Sequence, residues 1–267
     1  MLVTVLGATA IGITLGLLGS GGSILTIPIL VYLLGHDGKV AIAESLAIVG
    51  GIASVGVIPF ARVRLIAWRK VLSFGLPGVV GTYLGAQRAA TLSGTTQLLI
   101  FGSVMLVAAG MMFFGSRRPK SPVPSEATEA PRLEPRSRSV WTTFLEPIEG
   151  LGVGVITGIV GVGGGFLIVP ALVLLGGLDM RKAVGTSLVI IVINSVAGFA
   201  KHYQTIQQSE SSIDPLTIAT FIGIGVIGMW IGKSLNNRLD PSLLRKGFAF
   251  FLVAMGVLVL VRETVFG

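Results

Sequence analysis

The chain carries one stretch twice, and that repetition limits every fold open to it. The run from Gly12 to Pro28 (GITLGLLGSGGSILTIP) returns as the run from Gly154 to Pro170 (GVITGIVGVGGGFLIVP). The offset of 142 holds without a gap from Gly12/Gly154 to Gly56/Gly198, with 17 identities in 45 pairs, Asp37/Asp179 and Ser45/Ser187 among them. Shared apolar composition supplies only a handful, so the chain is an internal duplication, and whatever one half folds into the other must follow. Farther along the offset becomes 147, as Gly78/Gly225, Gly81/Gly228 and Gly85/Gly232 show. The five extra residues fit best in the polar stretch 204–214.

Only 12% of the 267 residues are charged while 52% are hydrophobic, and a soluble domain carries about 25% charged residues. Helices apolar all round belong in lipid or in a very large core, and this chain is too short for such a core. It is therefore expected to be an integral membrane protein. Small residues let transmembrane helices approach closely, which accounts for 38 glycines. With no cysteine, disulfide and thiol chemistry are excluded. The net charge of +8 is expected to mark cytoplasmic loops rather than a nucleic-acid surface. The first residues lack a basic region and a cleavage site, so no removable signal peptide is expected.

Apolar runs fall at about 2–18, 24–34, 43–60, 71–87 and 97–114, then at about 147–160, 166–176, 184–200, 216–232 and 247–262. The predicted fold class is all-α and polytopic: two repeats, each a Gly-cornered pair of short helices plus three long transmembrane helices, 8–10 membrane segments in all. Residues 1–114 form the first repeat, 115–140 a flexible linker rich in Pro, Ser, Arg and Glu, and 141–267 the second repeat. The second segment of each half has eleven residues, about 16 Å of helix against about 30 Å of hydrocarbon. It either returns as a hairpin along the preceding run or crosses steeply with irregular ends.

Basic residues set the expected orientation. Placing loop 61–70 inside and alternating from there puts the linker, loop 177–183 and loop 233–246 inside as well. Sixteen of the 20 Lys and Arg then lie inside, all but Lys39, Arg88, Lys201 and Arg262, as the positive-inside rule asks. The linker is cytoplasmic and both termini are outside on this assignment. Matched loops 61–70 and 201–215 face opposite sides, so the repeats are inverted. Inverted repeats with interrupted helices at matching positions point to a secondary transporter with its substrate near the midplane.

The two corners, Gly19-Ser20-Gly21-Gly22-Ser23 and Gly161-Val162-Gly163-Gly164-Gly165, each precede a short apolar helix. Glycine lets the backbone turn and expose successive N–H groups, and a helix start adds unsatisfied donors and partial positive charge. Two corners meeting at a pseudo-two-fold axis would bind an anion without a basic side chain; alternatively the glycines only permit tight packing. Packing is the expected role of Gly12/Gly16, Gly154/Gly158, Gly81/Gly85 and Gly228/Gly232, spaced as small-xxx-small. Ser45, Thr186 and Ser187, near the start of the third segments, either offer hydroxyls to the anion or cap helices. Asn194 either faces substrate or bonds between helices. Glu44 is a possible proton carrier, or a first-turn carboxylate favoured by the helix dipole.

A Gly-x-Gly-Gly-[Gly/Ser] corner followed by an apolar half-helix with proline, twice in one chain, resembles the sulfite exporter TauE/SafE family, also called the toluene-sulfonate uptake permease type. Gly185-Thr186-Ser187-Leu188, echoed as Glu44-Ser45-Leu46, adds to the resemblance, which covers both halves and leaves out only the linker. It implies a bacterial inner-membrane carrier for small sulfur-containing anions such as sulfite, sulfoacetate and other organosulfonates, with export driven by the proton gradient or the membrane potential. The halves differ at Glu44 against Thr186 and at Ser23 against Gly165, so unequal contributions from the two corners are expected. A passive anion channel and a non-transporting membrane scaffold subunit are the rival expectations. No Walker sequence, metal-ligand cluster or acid–base pair lies inside the spans, so no cofactor, metal or enzymatic activity is expected. The expected partners are a small anionic substrate and the lipid bilayer, with no nucleic acid.

Overall fold

The computed structural model describes residues 2–89, 91–114, 140–160, 165–207 and 213–265. Ten helices are present among them. In the first half α1 is Leu2–Leu18 and α2 is Gly21–Pro28, continued by the π-helical turn Ile29–Leu33; α3 is Gly38–Arg62. Trp68–Lys70, the π-helical turn Val71–Gly75 and Leu76–Ala89 run on as one segment, α4, and α5 is Gly94–Phe114. In the second half α6 is Val140–Val160, α7 Gly165–Leu174, α8 Met180–Gln207, α9 Pro215–Arg238 and α10 Pro241–Val265. The expected linker, residues 115–139, lies outside the described residues.

All ten apolar runs became helices, several of them with ends that exceed the runs. The α3 helix starts at Gly38 because the Asp37 carboxylate accepts the Lys39 N–H at 2.9 Å, and α9 starts at Pro215 because Asp214 accepts from Leu216 at 2.9 Å. Such caps lie outside the apolar stretch by their nature. Five helices are long and apolar enough to cross a membrane: α3, α5, α8, α9 and α10. Six long helices were expected. The missing one is α4, whose regular α-helical part is only the 14 residues Leu76–Ala89 behind the π turn.

The short second helix takes the hairpin alternative. Gly21 sits against Thr14, Gly22 against the Ile11 carbonyl, and Gly7 against Ile29, so α2 runs back antiparallel along α1. Pro28 ends the α-helical part, and the chain continues as a π turn, one of the recognised ways a helix absorbs a local disruption.

Four close helix pairs build the core, and each joins the two halves: α1 with α9, α6 with α4, α3 with α8, and α5 with α10. In the first pair a Cβ on Gly12 would strike the Gly225 carbonyl, one on Gly16 the Met229 carbonyl, and one on Gly232 the Ile13 carbonyl. In the second, Gly154 stands the same way against Gly78, Gly158 against Thr82, and Gly85 against Val155. These pairs run parallel. By contrast, α3 and α8 are antiparallel: Leu46 meets Gly198, Gly50 meets Ser195, and Phe60 meets Gly185. So are α5 and α10, where Gly102 meets Gly256 and Arg245 donates to the Met112 carbonyl at 3.1 Å.

Polar contacts gather the helix ends at the two ends of the bundle. At one end, Arg181 donates to the Asn237 and Leu239 carbonyls, Lys70 pairs with Glu146, and the Ala67 N–H reaches Thr186. At the other, Gly38 abuts Gly94, Tyr32 donates to Glu263 at 2.8 Å, and the Asp214 N–H reaches Glu44.

Candidate functional site

The first glycine corner is a built turn. Gly19 has φ +76° and its N–H returns to the Leu15 carbonyl at 2.8 Å, ending α1 with a left-handed residue. A Cβ there would lie 2.8 Å from the Val184 Cα and 2.9 Å from the Ser187 Oγ, so conformation and space both require glycine. The Ser187 hydroxyl is within hydrogen-bonding reach of the Val184 carbonyl (2.8 Å) and the Gly19 carbonyl (3.2 Å). Ser20 follows as the N-cap of α2. It is fully buried, its side chain makes no cap bond, and its Oγ has no hydrogen-bond partner among the described residues. Buried polar groups are normally satisfied, and this one stands where the first-turn N–H groups of α2 lack partners within their own helix. Ser23 is turned to the Ser20 carbonyl at 2.7 Å; Gly21 and Gly22 serve the approach of α2 to α1.

Helix α9 walls this corner with two polar residues that the sequence reading passed over. Asn236, fully buried, donates from Nδ2 to the Leu17 carbonyl at 2.6 Å, while its Oδ1 has no partner. Lys233, only 9% exposed, packs its backbone on Gly16. Its ammonium lies 4.3 Å from the Phe60 ring centroid and donates to the Asn237 side chain at 3.2 Å. The expected anion site needed no basic side chain; the structure supplies one on the helix that packs beside the corner. At an offset of 147 the matching residues are Ala86 and Ala89. A departure from the repeat toward polar residues was the available signal, hidden because Lys233 also counted as a topogenic base.

Gly161, Gly163 and Gly164 lie outside the described residues, but their flanks are fixed: Gly165 opens α7, and Gly158 carries a hydrogen bond from His202. Gly19 lies by Val184 in the first turns of α8 and Gly158 by His202 near its last, about 27 Å apart at 1.5 Å per residue. Because α3 and α8 are antiparallel, Gly19 and Gly158 lie toward opposite ends of the bundle.

Of the remaining candidates, Ser45 is buried with its hydroxyl on the Ile42 carbonyl at 2.8 Å. Neither Thr186 nor Glu44 caps its own helix: Thr186 Oγ1 accepts the Ala67 N–H at 2.9 Å, and Glu44 Oε1 accepts the Asp214 N–H at 3.0 Å. Both sit a turn or more inside helices that start earlier than their apolar runs. Asn194 lies on the same face of α8 as Ser187, two turns on, against Gly78; it is buried and its Oδ1 has no partner.

Residues 4–259 match the family described as sulfite exporter TauE/SafE. A "Probable membrane transporter protein" of Xylella fastidiosa (strain Temecula1) is 31% identical, covering 98% of this chain and 96% of its own length. The "Probable membrane transporter protein YunE" of Bacillus subtilis is 24% identical over 96% of this chain and 95% of its own, and one from Haemophilus influenzae is 25% identical over 96% of both. No solved structure matches.

Proposed function

Because the chain belongs to the sulfite exporter TauE/SafE family, membrane transporters rather than enzymes, we propose that it exports a small sulfur oxyanion across the bacterial inner membrane. Sulfite, sulfoacetate and other organosulfonates are the candidate substrates, and alternating access is the mechanism. The observation that carries the assignment of a site is Ser20: a fully buried hydroxyl without a partner at the start of α2, where backbone donors and helix polarity favour an anion. In this reading Gly19 and Ser187 border the anion, and Lys233 stands beside the corner on α9. The second corner, Gly161 to Gly165 with Ser45, is the counterpart that serves the opposite face.

The proposed architecture is two inverted repeats, 1–114 and 141–267, about a two-fold axis in the membrane plane. Its support is the exchange of every glycine contact in α1–α9 for its copy in α4–α6, together with the antiparallel crossing of α3 on α8 and α5 on α10. An axis in the membrane plane reverses equivalent helices, whereas an axis along the normal leaves them parallel.

A thermal-shift panel of sulfite, sulfoacetate, sulfate, taurine, acetate and chloride on the detergent-solubilised protein tests the site. A ligand at about 100 times its Kd adds about 2.7 kcal/mol. Sulfite or an organosulfonate is expected to raise the melting point selectively, and Ser20→Ala to weaken that response about tenfold, the loss of one buried hydrogen bond. Equal melting points across the panel, with Ser20→Ala folded as the parent, would remove the corner as a site.

A further inference from the structure

Two of the polar ties between the halves occupy matching positions and differ in chemistry. In one, Thr186 of α8 accepts the N–H of Ala67, the residue before α4, at 2.9 Å. In the other, Glu44 of α3 accepts the N–H of Asp214, the N-cap of α9, at 3.0 Å. Glu44 and Thr186 are 142 apart, and Ala67 and Asp214 are 147 apart, the two offsets of the duplication. Each tie fastens a third helix to the start of the other half's fourth helix, one at each end of the bundle. Thr186 and Glu44 are both fully buried.

A hydroxyl holds one end whatever the pH, whereas the carboxylate at the other end can take up a proton. It also has a route to solvent. His36, on the loop after α2, places Nδ1 2.6 Å from Glu44 Oε2 with 22% of its side chain exposed, while Glu44 has none exposed. Imidazole is the side chain suited to relaying protons near neutral pH. Two other carboxylates beside this tie have partners of their own. The Asp214 carboxylate is turned to the Thr217 hydroxyl (2.6 Å) and the Leu216 N–H (2.9 Å). Those bonds hold it below the ordinary carboxylate range. Asp37 holds the Lys39 N–H at the head of α3.

We propose that His36 and Glu44 form a proton-operated latch on one end of the carrier, and that Thr186 is its proton-insensitive counterpart on the other. A proton arrives from solvent at His36 Nε2, the Nδ1 proton passes to Glu44 Oε2, and the products are neutral imidazole and a neutral carboxylic acid. The neutral acid is a weaker acceptor than the carboxylate, so it holds the Asp214 N–H less tightly and loosens the start of α9 from α3. Proton binding thereby loosens one end only, which is what couples a proton to alternating access. The coupling rests on the transport reading above; the latch itself does not.

Amide hydrogen exchange on the full chain tests the latch directly, corrected for intrinsic rates, between about pH 7.5 and about pH 5.5, where Asp214 keeps its charge. Protection of residues 213–220 is expected to fall at least ~10-fold on acidification, while residues 65–70, at the Thr186 tie, do not respond. Glu44→Thr, which makes the two ties alike, should flatten the response at 213–220 to within ~2-fold. His36→Gln, at a partly exposed site, should blunt it with the fold intact. An unresponsive segment 213–220 in the parent, or a parental response retained in Glu44→Thr, overturns the latch. Sulfite counterflow in vesicles separates the two ideas: the expected exchange pattern without counterflow at any pH leaves the latch standing and sinks alternating access.

Discussion

One methyl group decides whether α1 and α9 can touch. At Gly12, Gly16, Gly154 and Gly158 the opposing atom is a backbone carbonyl, which cannot swing aside as a side-chain tip can. Gly158→Ala is therefore expected to lower stability by about 1–3 kcal/mol, the range for overpacking. Gly110→Ala, where nothing lies within 4 Å, should instead gain up to about 1 kcal/mol of helix propensity. Melting curves of both variants in one detergent check the pair, and equal behaviour would refute the assignment of Gly158 to a crossing. The small-xxx-small spacing made these glycines readable beforehand, and so did the density of the corner containing Ser20. Lys233, Asn236 and His36 were not readable as site residues. Their significance depends on which helix packs beside them, and apolar periodicity carries no partner information.

At the scale of the helix, the apolar run locates the middle of an element and the caps locate its ends. That is why ten runs became ten helices while α3 and α8 began earlier than their runs. The break in α4 escaped notice because Gly75 and Pro77 sit inside an otherwise continuous apolar stretch. The same region holds a buried charge pair: Lys70 with Glu146, 7% and 16% exposed, joined by Ser73 donating to Glu146 at 2.6 Å. Removing one partner strands the other, so Glu146→Gln is expected to cost about 3 kcal/mol, whereas apolar replacement of both members is often close to neutral. Lys70→Met combined with Glu146→Leu should recover most of the melting temperature that the single variant loses. A double variant as unstable as the single one would show that α4 and α6 do not depend on this pair.

At the scale of the molecule, the bundle has a basic end and an end poor in bases. Arg62, Arg64, Arg69, Lys70, Arg181, Lys182, Arg238, Arg245 and Lys246 belong to the first, which the positive-inside rule predicts to be cytoplasmic. With no native cysteine, single substitutions report sidedness cleanly. In intact cells an impermeant maleimide should label Ser93→Cys and Thr264→Cys but reach Arg64→Cys and Ser242→Cys only after permeabilisation. The reverse pattern would invert the orientation, and with it the face on which each corner opens. Parallel seating of α1 on α9 also bears on how the protein is made. The partner of α1 lies about 200 residues downstream, and ribosomes add about 5–20 residues per second. For about 10–40 s the notched face of Gly12 and Gly16 waits in the bilayer unfilled, whereas α4 meets α6 after about 50 residues. Helix α1 is made before its partner and is among the last of the described helices to be seated.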